Sequence, residues 1–134
     1  IIDKINIYEA SRLGMMNAIK EVRKKTKLEY VLTDAMKLPD LDIGYNAIIK
    51  GDAKSASIAA ASIIAKVTRD RIMYEYDKKY PEYEFGKHKG YPTKRHIELL
   101  NKYGIIDGYR LTYGPVKKVL EGEESATKEL SRQC

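Results

Sequence analysis

Two short strand-like runs set among helices predict an α/β fold. The first, Glu29-Tyr30-Val31-Leu32-Thr33, stops at Asp34, and the second, Tyr45 to Lys50, runs into Gly51-Asp52. A long helix rich in Ala and Ser follows directly, as befits an element packed closely on a sheet. The 134 residues, 43% hydrophobic and 33% charged, are one domain's worth of an ordinary globular chain.

The elements follow in order. Asn6-Ile7-Tyr8-Glu9 reads as a helix start, with Asn6 as N-cap and Glu9 reaching back from the third helical position. Met15, Ala18, Ile19 and Val22 then form one apolar stripe, and Arg23-Lys24-Lys25 suits the negative helix end. Leu38 to Gly44 is turn-rich and predicts a loop. The helix after the second strand should open near Ser55 or Ser57, with Ser57 as its cap, and run to about Lys79 before Tyr80-Pro81. Ala59, Ala60, Ala61 and Ala65 should keep it slim against the sheet.

Glu82 to Pro92 predicts a polar loop carrying Lys87-His88-Lys89-Gly90-Tyr91. Thr93 should cap a further helix, with Ile97 and Leu100 inward and Gly104 as its stop. A loop with Tyr109, Arg110 and Tyr113 leads to a short helix from Pro115 through Leu120. The domain is therefore expected over residues 1–120, with 121–134 a flexible charged tail.

Composition narrows the function. No apolar run reaches the roughly 18 residues of a membrane span, and no signal-peptide pattern is visible. A single Cys134 rules out an internal disulfide framework or a cysteine zinc site, so a cytoplasmic setting is expected. The net charge of +6 suggests an anionic partner, with nucleic acid the foremost candidate. Of the eleven tyrosines most should simply fill half-buried positions, although those interleaved with lysines could stack on sugars or bases.

Asp34 and Asp52 carry the sharpest chemical suggestion. If the two strands are parallel, both carboxylates emerge at one sheet edge, within reach of a shared cation. Oxygen-only ligands suit Mg²⁺ or Mn²⁺. The connection over 35–44 is short for a parallel crossover, but ten extended residues span roughly 33 Å, ample for a strand of about 17 Å. A hairpin would separate the acids, and each could equally be an ordinary turn residue. Lys87, Lys89, Lys94 and Arg95 surround Tyr91 and favour phosphate contacts, though such clusters are often merely solvated. His88 is expected to touch phosphate or solvent, and His96 to lie on a helix surface. Ser62 and Lys66, at i and i+4, are read as packing residues rather than a nucleophilic pair.

The run Lys50-Gly51-Asp52-Ala53-Lys54-Ser55, continued by Ser57 to Asp70, strongly resembles type 2 ribonuclease H (ribonuclease HII). So do Asp34 at a strand end and His88-Lys89-Gly90-Tyr91-Pro92-Thr93. The resemblance covers about Ile1 to Val119. It implies a ribonuclease-H-like fold, four carboxylates, two divalent metals (Mg²⁺ or Mn²⁺), and cleavage of the RNA strand of RNA–DNA hybrids, including DNA with embedded ribonucleotides. Asp34 and Asp52 are similar to the third and fourth carboxylates, catalytic and metal-binding. Tyr91 is similar to the tyrosine stacked on the junction sugar. Lys54, Ser55, His88, Lys89 and Arg110 are the other expected substrate contacts.

Two departures accompany the resemblance. Tyr109-Arg110 stands where the family often has His-Arg. Nothing before Asp34 matches the family's Asp-Glu pair or glycine-arginine-glycine turn, so the expectation is a partial fold of two strands and several helices, without the family's N-terminal strands. Such a chain should be inactive alone and could self-associate through an exposed sheet edge. The alternatives are a non-catalytic nucleic-acid-binding remnant, or a structural fragment of a longer enzyme.

Overall fold

A computed structural model describes residues 1–122. The chain divides into two compact units, the first Ile1–Val67 and the second beginning at Thr68. The first holds helix α1 (Ile2–Arg23), strands β1 (Tyr30–Asp34) and β2 (Gly44–Ile48), a one-turn helix α2 (Gly51–Lys54) and the start of α3 (Ala56–Lys79).

The strands pair in parallel, Tyr30 opposite Gly44 and Asp34 opposite Ile48, as the α/β expectation requires. Nine residues, 35–43, make the crossover without a helix. Their geometry explains how so short a connection suffices. Leu38 is fully buried, and Arg12 and Arg23 of α1 reach Asp40 at 2.7 Å and Asp42 at 2.5 Å. The second half of the connection is thus tied to α1 at Asp40 and Asp42. Hydrogen bonding to Arg23 lowers the Asp42 pKa.

Helix α1 bends at Asn6 (φ 65, ψ 170), a left-handed φ that asparagine tolerates better than most residues. Its Oδ1 accepts the Glu9 N–H at 3.1 Å, which confirms the predicted cap. Glu9 does not complete a capping box; its carboxylate pairs with Arg12 at 2.8 Å. Of the predicted stripe only Ile19 is buried. At the next boundary Ser55, not Ser57, caps α3, its Oγ accepting the Ile58 N–H at 3.5 Å. The predicted close packing of the alanines is also corrected. Ala60, Ala61 and Ala65 are exposed, and Ile58 is the buried residue of α3. A 24-residue helix is about 36 Å long, far more than two strands about 4.8 Å apart can cover.

In the second unit α3 continues to Lys79, and Pro81 opens a 3-10 turn, Pro81–Tyr83. Helix α4 (Phe85–His88) occupies part of the predicted polar loop, which is therefore largely helical. Helix α5 (Lys94–Tyr103) follows, and residues 114–122 form a final helix α6. Residues 121 and 122 are helical rather than tail, and the remainder of the expected tail lies outside the described residues.

An aromatic core replaces a sheet here. Tyr83 stacks on Phe85 with ring centres 5.5 Å apart, and Tyr76, Tyr103 and Tyr109 pack around them. Leu99, Leu100 and Val116 complete the buried set. The Tyr83 hydroxyl lies 2.9 Å from the carbonyls of both Tyr103 and Gly104, at the end of α5 where carbonyls lack helical partners. Six of the eleven tyrosines (8, 30, 74, 91, 103 and 113) are exposed, so exposure alone does not single out Tyr91.

Thr93 caps α5 as predicted, its Oγ1 accepting the His96 N–H at 3.2 Å. Thr93→Ala is expected to destabilise the chain by about 1 kcal/mol in urea unfolding, with an unchanged slope.

Candidate functional site

The C-terminal edge of the β1–β2 pair brings the two predicted acids together. After Asp34 the chain turns through Ala35 at φ 57, whose N–H donates to the Ile48 carbonyl at 3.0 Å. The Thr33 hydroxyl donates to the Met36 carbonyl at 2.6 Å, fixing this turn. Beyond β2, Lys50 adopts a left-handed conformation (φ 55, ψ 48) that swings the start of α2 back across the strand ends. The Gly51 N–H then donates to Asp34 Oδ1 at 2.9 Å, and Asp52 is the next residue.

Glycine at 51 suits a tight space. A Cβ there would lie 3.3 Å from Asp34 Cα and 2.7 Å from Ile58 Cδ1. Asp52 Oδ1 accepts the Ala53 N–H at 2.9 Å. Each carboxylate therefore commits Oδ1 to a backbone N–H, and both residues are exposed. Two such carboxylates are a hard-oxygen donor pair suited to Mg²⁺ or Mn²⁺. Among the described residues no cluster of three or more His, Cys, Asp or Glu side chains could hold a metal ion. Lys54 is exposed in the last turn of α2, and Ser55 is engaged as the α3 cap.

Tyr91, in the second unit, is half exposed. It follows a turn in which Lys89 (φ 51) and Gly90 (φ 74) are both left-handed and the Tyr91 N–H donates to the His88 carbonyl at 2.8 Å. This is the type I′ pattern, which favours glycine at such a position. The Arg69 guanidinium lies 4.4 Å from the centre of the Tyr91 ring.

The expected basic surface around Tyr91 is substantially corrected. Lys87 and Arg95 both pair with Glu84, whose pKa is pushed down to about 2 by their hydrogen bonds, while Lys94 sits 4.0 Å from Glu98. Lys89 turns inward, its Nζ donating to the Gly86 carbonyl and lying 3.5 Å from the centre of the Tyr74 ring. His88 is not the phosphate- or solvent-facing loop residue expected. It is buried, with Nε2 on the Tyr83 carbonyl at 2.7 Å and Nδ1 accepting the Gly90 N–H at 3.1 Å. His96 is likewise buried rather than on the helix surface, stacked on His88 with ring centres 4.0 Å apart.

Arg110 lines a cavity of about 520 Å³ together with Arg69, Tyr109 and Tyr113. Arg110 Nε and Arg69 Nη1 are buried without hydrogen-bond partners. Sequence reasoning missed the contact of Arg69 with Tyr91, the bond from Gly51 to Asp34, and the inward roles of His96 and Tyr109. All of these act only through tertiary contacts.

Gly51→Ala is expected to cost about 1–3 kcal/mol in chemical unfolding, and to shift the Asp34 signals in NMR spectra. Acid should lower the stability of the chain in two stages. Burial, opposed by the hydrogen bond to Tyr91, lowers the His96 pKa below its ordinary 6.5. The unfolded chain therefore takes up this proton first, and the contribution of a neutral His96 is lost as pH falls from about 6.5 towards its lower folded value. Glu84 contributes fully above about 4.5 and loses its share only as pH falls towards about 2. Urea unfolding at a series of pH values checks both stages, and His96→Gln should flatten the first.

Comparison with known proteins identifies the family. The family model described as Ribonuclease HII matches residues 1–113. The chain is 57% identical over 121 residues to "Ribonuclease HII" of Caldanaerobacter subterraneus subsp. tengcongensis, covering 90% of this chain and 48% of that protein. It is 55% identical over 119 residues to the protein of the same name from Bacillus pumilus, covering 89% and 46%. With the Bacillus cytotoxicus protein it shares 49% identity over 123 residues, covering 92% and 46%. The chain thus spans about half the length of the curated relatives it matches. Among the described residues no helix is long and apolar enough to cross a membrane. With two parallel strands ending in the acid-bearing edge, and a family match over most of its length, the chain belongs to the ribonuclease HII family.

Proposed function

We propose that this chain supplies part of an endonuclease that hydrolyses the RNA strand of RNA–DNA hybrids at ribonucleotide–DNA junctions, in a cytoplasmic setting. The observation that carries the reading is the hydrogen bond from Gly51 to Asp34, which holds Asp34 beside Asp52 at the parallel edge. Family membership and the name of the relatives support the reaction class.

Asp34 and Asp52 would each donate a carboxylate oxygen to Mg²⁺ or Mn²⁺. In a two-metal arrangement such ions activate water and neutralise charge on the phosphate under attack. The Gly51 N–H orients the Asp34 carboxylate, so the donor oxygen needs little reorganisation on binding. Exposed Lys54, next to this edge in sequence, suits a phosphate. Tyr91 offers a ring to the sugar at the junction, where the 2′-hydroxyl marks the ribonucleotide. Arg110 and Lys89 are second-rank contacts on this reading, because both are largely turned inward.

The chain as it stands brings two of the four carboxylates implied by the resemblance, and is inactive alone. Its two-stranded sheet exposes Tyr30 and Leu32, apolar side chains that would favour self-association at high concentration. Incubation with a duplex carrying one embedded ribonucleotide should give no cleavage in Mg²⁺ or Mn²⁺. Mn²⁺ titration should show weak, saturable binding that Asp34→Asn or Asp52→Asn reduces about tenfold, on the order of 1.4 kcal/mol. Two tightly held ions and cleavage would instead mark a complete site. Tyr91→Ala should remove about 1–3 kcal/mol of preference for the ribonucleotide duplex over its all-DNA counterpart, read by fluorescence anisotropy.

A further inference from the structure

The least expected feature of the second unit is its pair of buried histidines. His88 and His96 stack face to face, 4.0 Å between ring centres and 12° between planes. Both rings are bonded at both nitrogens to the segment that carries Tyr91, or to the elements bracing it.

The partners assign the protons. A carbonyl can only accept, so His88 Nε2 donates to Tyr83, and its Nδ1 must carry the lone pair that receives the Gly90 N–H. His88 is therefore the neutral Nε2–H tautomer. His96 Nδ1 lies 2.9 Å from the Tyr91 carbonyl and must donate to it, while Nε2 lies 2.7 Å from the Tyr109 hydroxyl. With His96 neutral, as burial favours, the Tyr109 hydroxyl donates to Nε2. The two stacked neighbours are thus opposite tautomers, each donating to one carbonyl and accepting from one N–H or O–H.

We propose that His96 is a positioning residue for Tyr91: its Nδ1–H fixes the Tyr91 carbonyl, and stacked His88 fixes Gly90, so that the two rings together set the angle at which the exposed tyrosine is presented. This rests on the reading of Tyr91 as the ring that meets the junction sugar. Tyr91 has its amide tied to the His88 carbonyl, and its carbonyl accepts both the Thr93 N–H at 2.8 Å and the His96 Nδ1–H at 2.9 Å, the second being the bond from outside the turn. The half-exposed ring meets the Arg69 guanidinium 4.4 Å from its centre, and the direction in which it leaves the chain is set by this backbone. Tyr109 holds the far side of His96, so the chain of bonds runs Tyr91, His96, Tyr109.

The test uses the full 134-residue chain and three variants, His96→Leu, His96→Asn and Tyr91→Ala, each checked for folding by circular dichroism. Asn can place an amide N–H near the position of Nδ1, whereas Leu fills the space without a donor. Nitrogen-15 NMR should show His96 as the Nδ1–H tautomer and His88 as the Nε2–H tautomer; reversed or averaged tautomers overturn the proposal, whatever the variants do. Fluorescence anisotropy then compares a labelled duplex containing one ribonucleotide with its all-DNA counterpart. The ribonucleotide preference should fall about fivefold or more in His96→Leu, and be largely restored in His96→Asn, with all-DNA binding unchanged in both. If folded His96→Leu keeps the preference while Tyr91→Ala loses it, the positioning role is wrong. If Tyr91→Ala itself keeps the preference, the sugar reading fails instead. The positioning role is then decided by the Gly90 and Tyr91 amide signals, which should move in His96→Leu and not in His96→Asn. Should His96→Leu fail to fold, the tautomers and the preference retained by His96→Asn decide the matter, and loss of that preference in folded His96→Asn overturns the role.

Discussion

One hydrogen bond, from the Gly51 N–H to Asp34, governs the first unit. It closes a loop between the end of β1 and the turn after β2, and it can form only if both strands end at the same edge. Parallel pairing in turn depends on a crossover of nine residues that turns at 39–40, with Leu38 buried and Asp40 and Asp42 paired to Arg12 and Arg23. Exposed ion pairs of this kind add little to stability individually. Their importance here is directional, because they tie the crossover to α1. A hairpin would be shorter and locally easier, but would send Asp34 and Asp52 to opposite ends of the pair.

The second unit solves a different problem. Its core is built from rings, and rings that carry hydroxyl or imidazole groups must have those groups satisfied when buried. Tyr83 spends its hydroxyl on the open carbonyl end of α5, and the two histidines spend four nitrogens on three backbone groups and one phenol. None of these bonds requires a net charge. That keeps desolvation costs low, and it explains why burial raises the Tyr109 pKa and lowers that of His96, both towards the neutral forms.

Local signals were legible in the sequence where a single residue dictates its own backbone. Asn6 and Thr93 cap helices because their side chains reach an N–H three residues on, and Tyr80-Pro81 stops α3 by steric exclusion. The two acids were legible because strand ends and a glycine mark them. The histidines were not. His88 and His96 sit among lysines and an arginine, and only folding reveals that those charges pair with Glu84 and Glu98 while the rings turn inward. Helix α4 was hidden for a related reason: Gly86 and Gly90 read as loop residues, yet Gly86 sits where a Cβ would meet Asp77 Oδ2 at 2.5 Å. A glycine inside a one-turn helix is not distinguished by any local pattern from one in a loop.

The same pairing changes what the net charge of +6 can do. A cation already bonded to a carboxylate releases no counterion from a polyanion without first giving up its partner. Lys87 and Arg95 are in that position, and Lys89 is committed to a carbonyl and a ring. On the proposed function, attraction to nucleic acid would come from charge that is not paired in this way, and would carry little information about sequence or sugar. Discrimination would then come from shape: a half-exposed ring whose backbone is held by neutral groups. Neutral fixation has a physical advantage for this task, because salt that screens the general attraction leaves short hydrogen bonds between buried neutral groups essentially untouched. If the proposed reading holds, affinity and selectivity would respond to ionic strength separately, the first through dispersed lysines and the second through Tyr91 and the histidines bonded to its backbone segment.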